Sequence, residues 1–182
     1  WTGLHISRKA LNLGLDALSM VSGSANWELH VLGRGPRTSA WVRHARSNGI
    51  YDRCRFHGWL PRDDAISIMA AAHVMLITSL RDLTSTVTIE ALAQGLPIVC
   101  LDHCGFGHVV NEDCGIKVPV TTPALTVQGL RDGIERLATD ETLRRRLAQG
   151  AQRRALDFAW ERKIADLNRI YAERVTESVD RV

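Results

Sequence analysis

The chain holds 182 residues, 45% of them hydrophobic and 24% charged, and its net charge of +3 is the small difference between 23 basic and 20 acidic side chains. That balance excludes a disordered chain, and no uncharged apolar run approaches the roughly 18 to 20 residues that a membrane-spanning helix needs. A domain of this size buries a core without disulfide staples. Trp1 to Lys9 shows no basic segment followed by an apolar stretch, hence no secretion signal, and the first residue is Trp, so the chain reads as a piece of a longer polypeptide.

From Lys9 to Val21 the apolar residues Leu11, Leu15, Leu18 and Val21 recur at helical spacing, and Gly23 marks the stop. Trp27 to Leu32 alternates as a strand does and runs into Gly33-Arg34-Gly35-Pro36, where Pro36 suits the first turn of a second helix carrying Ala40, Trp41 and Ala45. Cys54 to His57 is a short strand closed by Gly58, and Pro61 opens a helix with Ala65, Ile68, Met69 and Ala72. His73 to Thr78 is a short apolar run, the form taken by a strand covered on both faces. A hydroxyl-rich turn, Thr84-Ser85-Thr86, leads into a helix from about Val87 to Gln94, and buried strands follow at Pro97–Leu101 and Cys114–Val118. Three helices close the chain. The last, near Trp160 to Thr176, carries Trp160, Ile164, Leu167, Tyr171 and Val175 along one stripe and is expected to lie back on the sheet. The alternation predicts a Rossmann-like, doubly wound parallel sheet of about six strands, helices on both faces and extra C-terminal helices.

Ligands of such sheets bind outside the carboxyl ends of the strands. Gly33-Arg34-Gly35-Pro36 allows close backbone approach but lacks the third glycine of a dinucleotide fingerprint, so it is either a ligand turn or a plain tight turn. Ser79 to Thr86 leads from the most apolar strand into a helix start, where free amides and hydroxyls suit a phosphate or a sugar; Ser85 or Thr86 also suits a plain N-cap. Asp82 and Glu90 bracket that element, either as two hydroxyl-binding carboxylates or as two surface acids. The loop Asp102 to His108 follows the next strand with two glycines and two histidines.

Cys54, Cys100, Cys104 and Cys114 include no CxxC pair, and two lie in or beside buried strands, so they read as reduced core thiols. With His103 and His108 they offer soft ligand types, but the spacing fits no closed zinc site. No nucleophile elbow, Walker loop or H-E-x-x-H helix is present. The scattered basic residues suggest no nucleic-acid partner; Arg144-Arg145-Arg146 and Arg153-Arg154, interleaved with acids, form either a solvated helix face or a contact for an anionic membrane.

Ser79, Asp82 and the run Glu90-Ala91-Leu92-Ala93-Gln94-Gly95-Leu96-Pro97-Ile98-Val99 carry a resemblance. This order is similar to the carboxy-terminal half of the family 4 retaining glycosyltransferases of GT-B fold, in which a strand ends in Ser, two acids stand eight positions apart, and the helix continues as E-A-x-A-x-G-x-P-[IV]-[VI]. Trp1 to Lys9 resembles the family's W-x-G-R-x-x-x-R-K-G, Gly33 to Pro36 its G-x-G-P, Arg55 to Leu60 its V-x-F-x-G-x-[VL], and Phe158-Ala159-Trp160 its F-S-W; Gly115 to Pro119 resembles the segment before the terminal helices. The resemblance implies one donor-binding domain over 1–182, with an N-terminal acceptor domain absent from this chain. It also implies transfer from a UDP- or GDP-sugar to a glycan or lipid-linked acceptor, without a metal cofactor, by a cytoplasmic enzyme peripheral to the inner face of the plasma membrane. Lys9 and Arg8 would hold the diphosphate, Glu90 the ribose, and Asp82 the transferred sugar; Gly33, Gly35, Ser79, Thr84, Ser85 and Thr86 would contribute to the donor site. Trp59 and Leu60 would wall the base, unless Trp59 is core. Three positions depart from the pattern: Leu4 replaces an Arg, Asp82 a Glu, and Leu83-Thr84-Ser85 a Gly-Phe-Gly. His108 stands where the family often has an acid. The other readings are a regulatory α/β module, or an epimerase or phosphorylase on the same fold.

Overall fold

The structure, a computed structural model, describes residues 1–23, 25–82 and 86–179; the side chains of 175–179 are not part of that description. A 3-10 turn at Ser7–Lys9 leads into α1 (Leu11–Ser19), then β1 (Leu29–Leu32), α2 (Thr38–Ser47), β2 (Cys54–Gly58), α3 (Arg62–Ala70) and β3 (Met75–Ile77). The second half runs α4 (Thr86–Ala93), β4 (Ile98–Leu101), α5 (Cys104–Val109), β5 (Gly115–Val118), α6 (Pro123–Thr139), α7 (Glu141–Leu156) and α8 (Trp160–Val179).

Every ladder is parallel, as the strand–helix alternation requires: β1 pairs β2, and β3, β4 and β5 pair in chain order. Successive residues of a strand face opposite sides of the sheet, so β4, buried at all four residues, is covered on both. Helix α6 supplies one cover, with Gly133 close to Val99 and Ile116, and α4 and α5 also lie against β4. Gly14 brings α1 onto β3, where an added Cβ would stand 2.9 Å from Leu76. Local signals set the later helices: the Thr122 hydroxyl accepts the Leu125 amide ahead of Pro123, and the Asp140 carboxylate accepts the Leu143 amide. All four cysteines are free, and burial pushes the Cys54 and Cys100 thiols up to about 11 and about 12.

Four expectations need correction. The described residues form five strands, in a two-stranded and a three-stranded sheet, where about six in one sheet were expected. Residues 102–108 are not all loop, because α5 begins at Cys104, a non-glycine residue at φ 57. Helix one starts at Leu11, after Ala10 turns the chain at φ 45. Helix α8 does not lie on the sheet: Trp160 is 79% exposed and Tyr171 66%, with Ile164, Leu167 and Ile170 about half exposed. Amphipathic spacing shows that a helix has an apolar face but not which surface covers it. The start of α8 is held by charged contacts around Asp157 and Phe158, where Arg154 and Arg162 bond the carboxylate and Lys163 lies over the ring.

The exposure of α8 separates two substitutions. Leu130→Ala, in the fully buried centre of α6, should cost about 3 kcal/mol in urea denaturation. Ile164→Ser should change stability by less than about 0.5 kcal/mol. A second prediction concerns the α-amino group of Trp1, whose pKa burial lowers to about 5. The unfolded amine titrates near 8, so the unfolded state binds more protons between pH 5 and 8, and stability is full above pH 8 and falls as the pH drops toward 5. Denaturation at pH 5 and pH 8 should show the free-amine chain losing more stability than its Nα-acetylated form, by up to about 4 kcal/mol.

Candidate functional site

Residues 1–10 run between β1 and the loop after β3 and are bonded to both. The Leu32 amide donates to the Trp1 carbonyl at 3.0 Å, and the Gly3 amide to the Leu32 carbonyl at 3.1 Å. On the other side, the Trp1 indole donates to Thr78 Oγ1 at 3.2 Å, the Thr78 hydroxyl to the Lys9 carbonyl at 2.8 Å, and the Leu80 amide to the Arg8 carbonyl at 2.8 Å. Beneath this joint, the rings of Trp1, His5 and Trp41 pack with centroids 5.0 to 5.5 Å apart.

These bonds bring Lys9 and Arg8 to Asp82, 73 and 74 positions away in sequence. Lys9 Nζ donates to Asp82 Oδ2, and Arg8 Nη1 lies 3.5 Å from Asp82 Oδ1 while donating to the Arg81 carbonyl at 2.8 Å. Partial burial pushes the Asp82 carboxyl up, but the hydrogen bond and charge of Lys9, with Arg8 behind it, outweigh this and hold it below the usual carboxylate range. The Asp82 amide donates to Cys104 Sγ at 3.3 Å, which ties the acid to the start of α5.

A recess of about 340 Å³ opens beside this pair, lined by Gly3, Leu4, Gly33, Trp59, Leu60 and Ala65 among others. Gly3 joins recess and ion pair, since a Cβ there would stand 3.7 Å from Lys9 Cε. Gly33 has φ 112, and a Cβ on it would strike the Gly3 carbonyl oxygen; one on Gly35 would stand 2.6 Å from the His5 carbonyl oxygen. Trp59 is 65% exposed, which removes the core alternative for it. Glu90, on α4, is half-buried and accepts from Arg62 Nη2 at 3.0 Å. Ser79 is buried at 2% exposure, and Thr86 is the first residue of α4, exposed. Thr84 and Ser85 lie outside the described residues.

Two partners were missed in the sequence. Arg62 stands at the first turn of α3, where a cation opposes the helix dipole, and that mismatch was a readable signal. Cys104 carried none. The Glu28–His30–His57 line was also missed: the His rings stack at 5.0 Å, and His30 bonds His57 and Glu28 at 2.9 Å each. Pairing across the parallel β1–β2 ladder brings it together.

The site is thus a shallow apolar recess next to two cations and two carboxylates, a combination suited to an aromatic or ribose-bearing group attached to an anion. Comparisons with known proteins agree with that chemistry. The family profile described as glycosyl transferases group 1 matches residues 1–140. The D-inositol 3-phosphate glycosyltransferase of Salinispora tropica is 32% identical over 142 residues, 78% of this chain and 29% of that protein. The lipopolysaccharide glucosyltransferase WaaG of Escherichia coli K12 is 26% identical over 153 residues, 82% of this chain and 39% of that protein. Among solved structures, WaaG superposes with a TM-score of 0.74 at 24% identity, over 85% of this chain and 42% of that one. Anabaena Alr3699/HepE in complex with UDP and glucose gives 0.76 at 19% identity, over 97% and 48%. These two likenesses show the α/β fold. The chain spans well under half the length of these relatives.

Replacing Lys9 with Met removes the bond and charge that outweigh burial at Asp82. The Asp82 carboxyl pKa, followed by carbon-detected NMR titration, should then rise; an unmoved pKa would mean that Lys9 does not set it.

Proposed function

The chain belongs to the glycosyl transferases group 1 family, and from that premise we propose that it forms the donor-binding half of a retaining glycosyltransferase that takes a UDP- or GDP-sugar. The observation that carries this reading is the Lys9–Asp82–Arg8 cluster joined through Gly3 to the Trp59–Leu60 recess. The base would lie in the recess against Trp59 and Leu60, with Gly33 allowing backbone close to it. The ribose hydroxyls would bond the Glu90 carboxylate, which Arg62 already holds in place. Lys9 and Arg8 would take the diphosphate, and Asp82 would face the sugar.

Without a donor, Lys9 and Asp82 satisfy one another. A bound diphosphate offers Lys9 a stronger anion, so the pair loosens as the donor enters and the Asp82 oxygens become free for sugar hydroxyls. When the sugar–phosphate bond breaks, charge grows on the departing diphosphate, and fixed cations and α-helix amides stabilise that charge more than the ground state. In this reading side-chain cations take the part that a metal plays elsewhere, and the acceptor attacks on the face the diphosphate leaves, which retains configuration.

The names of the relatives support an acceptor in glycan, lipid-linked or cell-envelope synthesis, and their greater length supports an acceptor domain on a longer protein. Under this reading the 182 residues alone bind donor and transfer nothing. The enzyme would work at the cytoplasmic face of the membrane, and Arg144-Arg145-Arg146 is a candidate contact for anionic lipid.

Calorimetric titration of the chain with UDP, GDP and their sugars tests the reading. Saturable binding is expected, with most of the affinity from the nucleotide. Lys9→Ala and Glu90→Ala, checked for folding by circular dichroism, should each weaken binding about tenfold or more, about 1.4 kcal/mol. No binding by any of these ligands, or unchanged binding in both variants, would defeat it.

A further inference from the structure

Strands β1 and β3 border one gap. The two-stranded sheet ends at β1 and the three-stranded sheet at β3, and no ladder joins them. Trp1 to Gly3 enter the carboxyl end of the gap in parallel-strand geometry: the Trp1 amine donates to the His30 carbonyl at 3.1 Å, the Leu32 amide to the Trp1 carbonyl, and Thr2 forms a parallel bridge with Leu32. Toward the amino ends of both strands the gap widens into a cavity of about 620 Å³, with Leu29 and His30 of β1, Val74 and Leu76 of β3, and Leu18 and Leu137 of the covering helices in its lining. Trp1 lines it as well, and its amine is buried there.

Ladder alternation gives the gap its polarity. In a parallel strand alternate residues direct both main-chain groups to the same neighbour. His30 accepts from Trp1, so its amide points to the gap as well; Met75 donates to Pro97 on the β4 side, so Leu76 turns the other way, into the gap. The gap therefore has strand-bonding groups on both sides and apolar walls above and below. A small molecule would leave most of those groups without partners, whereas one extended chain satisfies both edges.

We propose that this gap is the slot for one more parallel β-strand, supplied by polypeptide joined directly to the amino side of Trp1, about four apolar residues long. The Thr2–Leu32 bridge fixes its register, the direction of the Trp1 amine fixes its path, and the greater length of the relatives leaves chain to supply it. The added strand joins the two sheets into one of six, in the order β2, β1, the new strand, β3, β4, β5.

Fusing Ile-Val-Leu-Val directly before Trp1, with Gly-Ser-Gly-Ser as the control, tests the slot by amide hydrogen exchange. The apolar fusion should slow exchange at His30 and Leu76 about 100-fold relative to the control, and should raise the thermal midpoint. Should the fusion precipitate, the acetylated peptide amide Lys-Lys-Ile-Val-Leu-Val, added to the 182-residue chain, reads the same two amides, and protection supports the slot. Equal exchange in both fusions, or no protection by the peptide where the fusion precipitates, overturns it. So does protection in the unextended chain together with dimer sedimentation, which gives the gap to a second copy. No nucleotide enters these readouts, so they fail or succeed separately from the donor-site reading.

Discussion

The structure depends on one short segment, Trp1 to Lys9, lodged between β1 and the loop after β3. A main chain placed in a low-dielectric interior must satisfy its amides and carbonyls, and this one does so to both sides at once: to Leu32 on β1, and to Thr78 and Leu80 beyond β3. That double bonding is what joins the two sheets near the site. It also presents Arg8 and Lys9 at the start of α1, opposite Asp82, with no further device. The fold and the charged site therefore share one set of hydrogen bonds.

The same joint accounts for the electrostatics. Lys9 and Asp82 are each less than one-sixth exposed, so each loses hydration that it recovers only from the other. An unpaired Lys9 at that position would be costly, which gives the empty site a strong demand for an anion. The demand is met internally at rest and is transferable to a ligand of higher charge. Glu90 and Arg62 repeat the arrangement on the other side of the recess with more exposure and therefore more solvent screening.

Much of this was legible from residue order. Short apolar runs bounded by glycine and proline marked the strands, and the motif from Ser79 to Val99 identified the family, because both kinds of signal are local. What required the fold were relations across the sheet: Arg62 against Glu90, Cys104 against the Asp82 amide, His30 stacked on His57. Helix α8 marks a different limit. Its stripe was correctly seen as apolar, but a stripe carries no address, and the described residues leave it exposed. The expected sixth strand is represented by a single bridge at Thr2.

The most direct test of the donor site is nitrogen-15 NMR of the chain titrated with UDP and with GDP. The account predicts that at least one of them shifts the Trp59 indole N–H together with the amides of Gly3 and Gly33, which line one recess next to Lys9. Shifts confined to the cavity around Asn26 and His73, with the Trp59 indole unmoved, would contradict it.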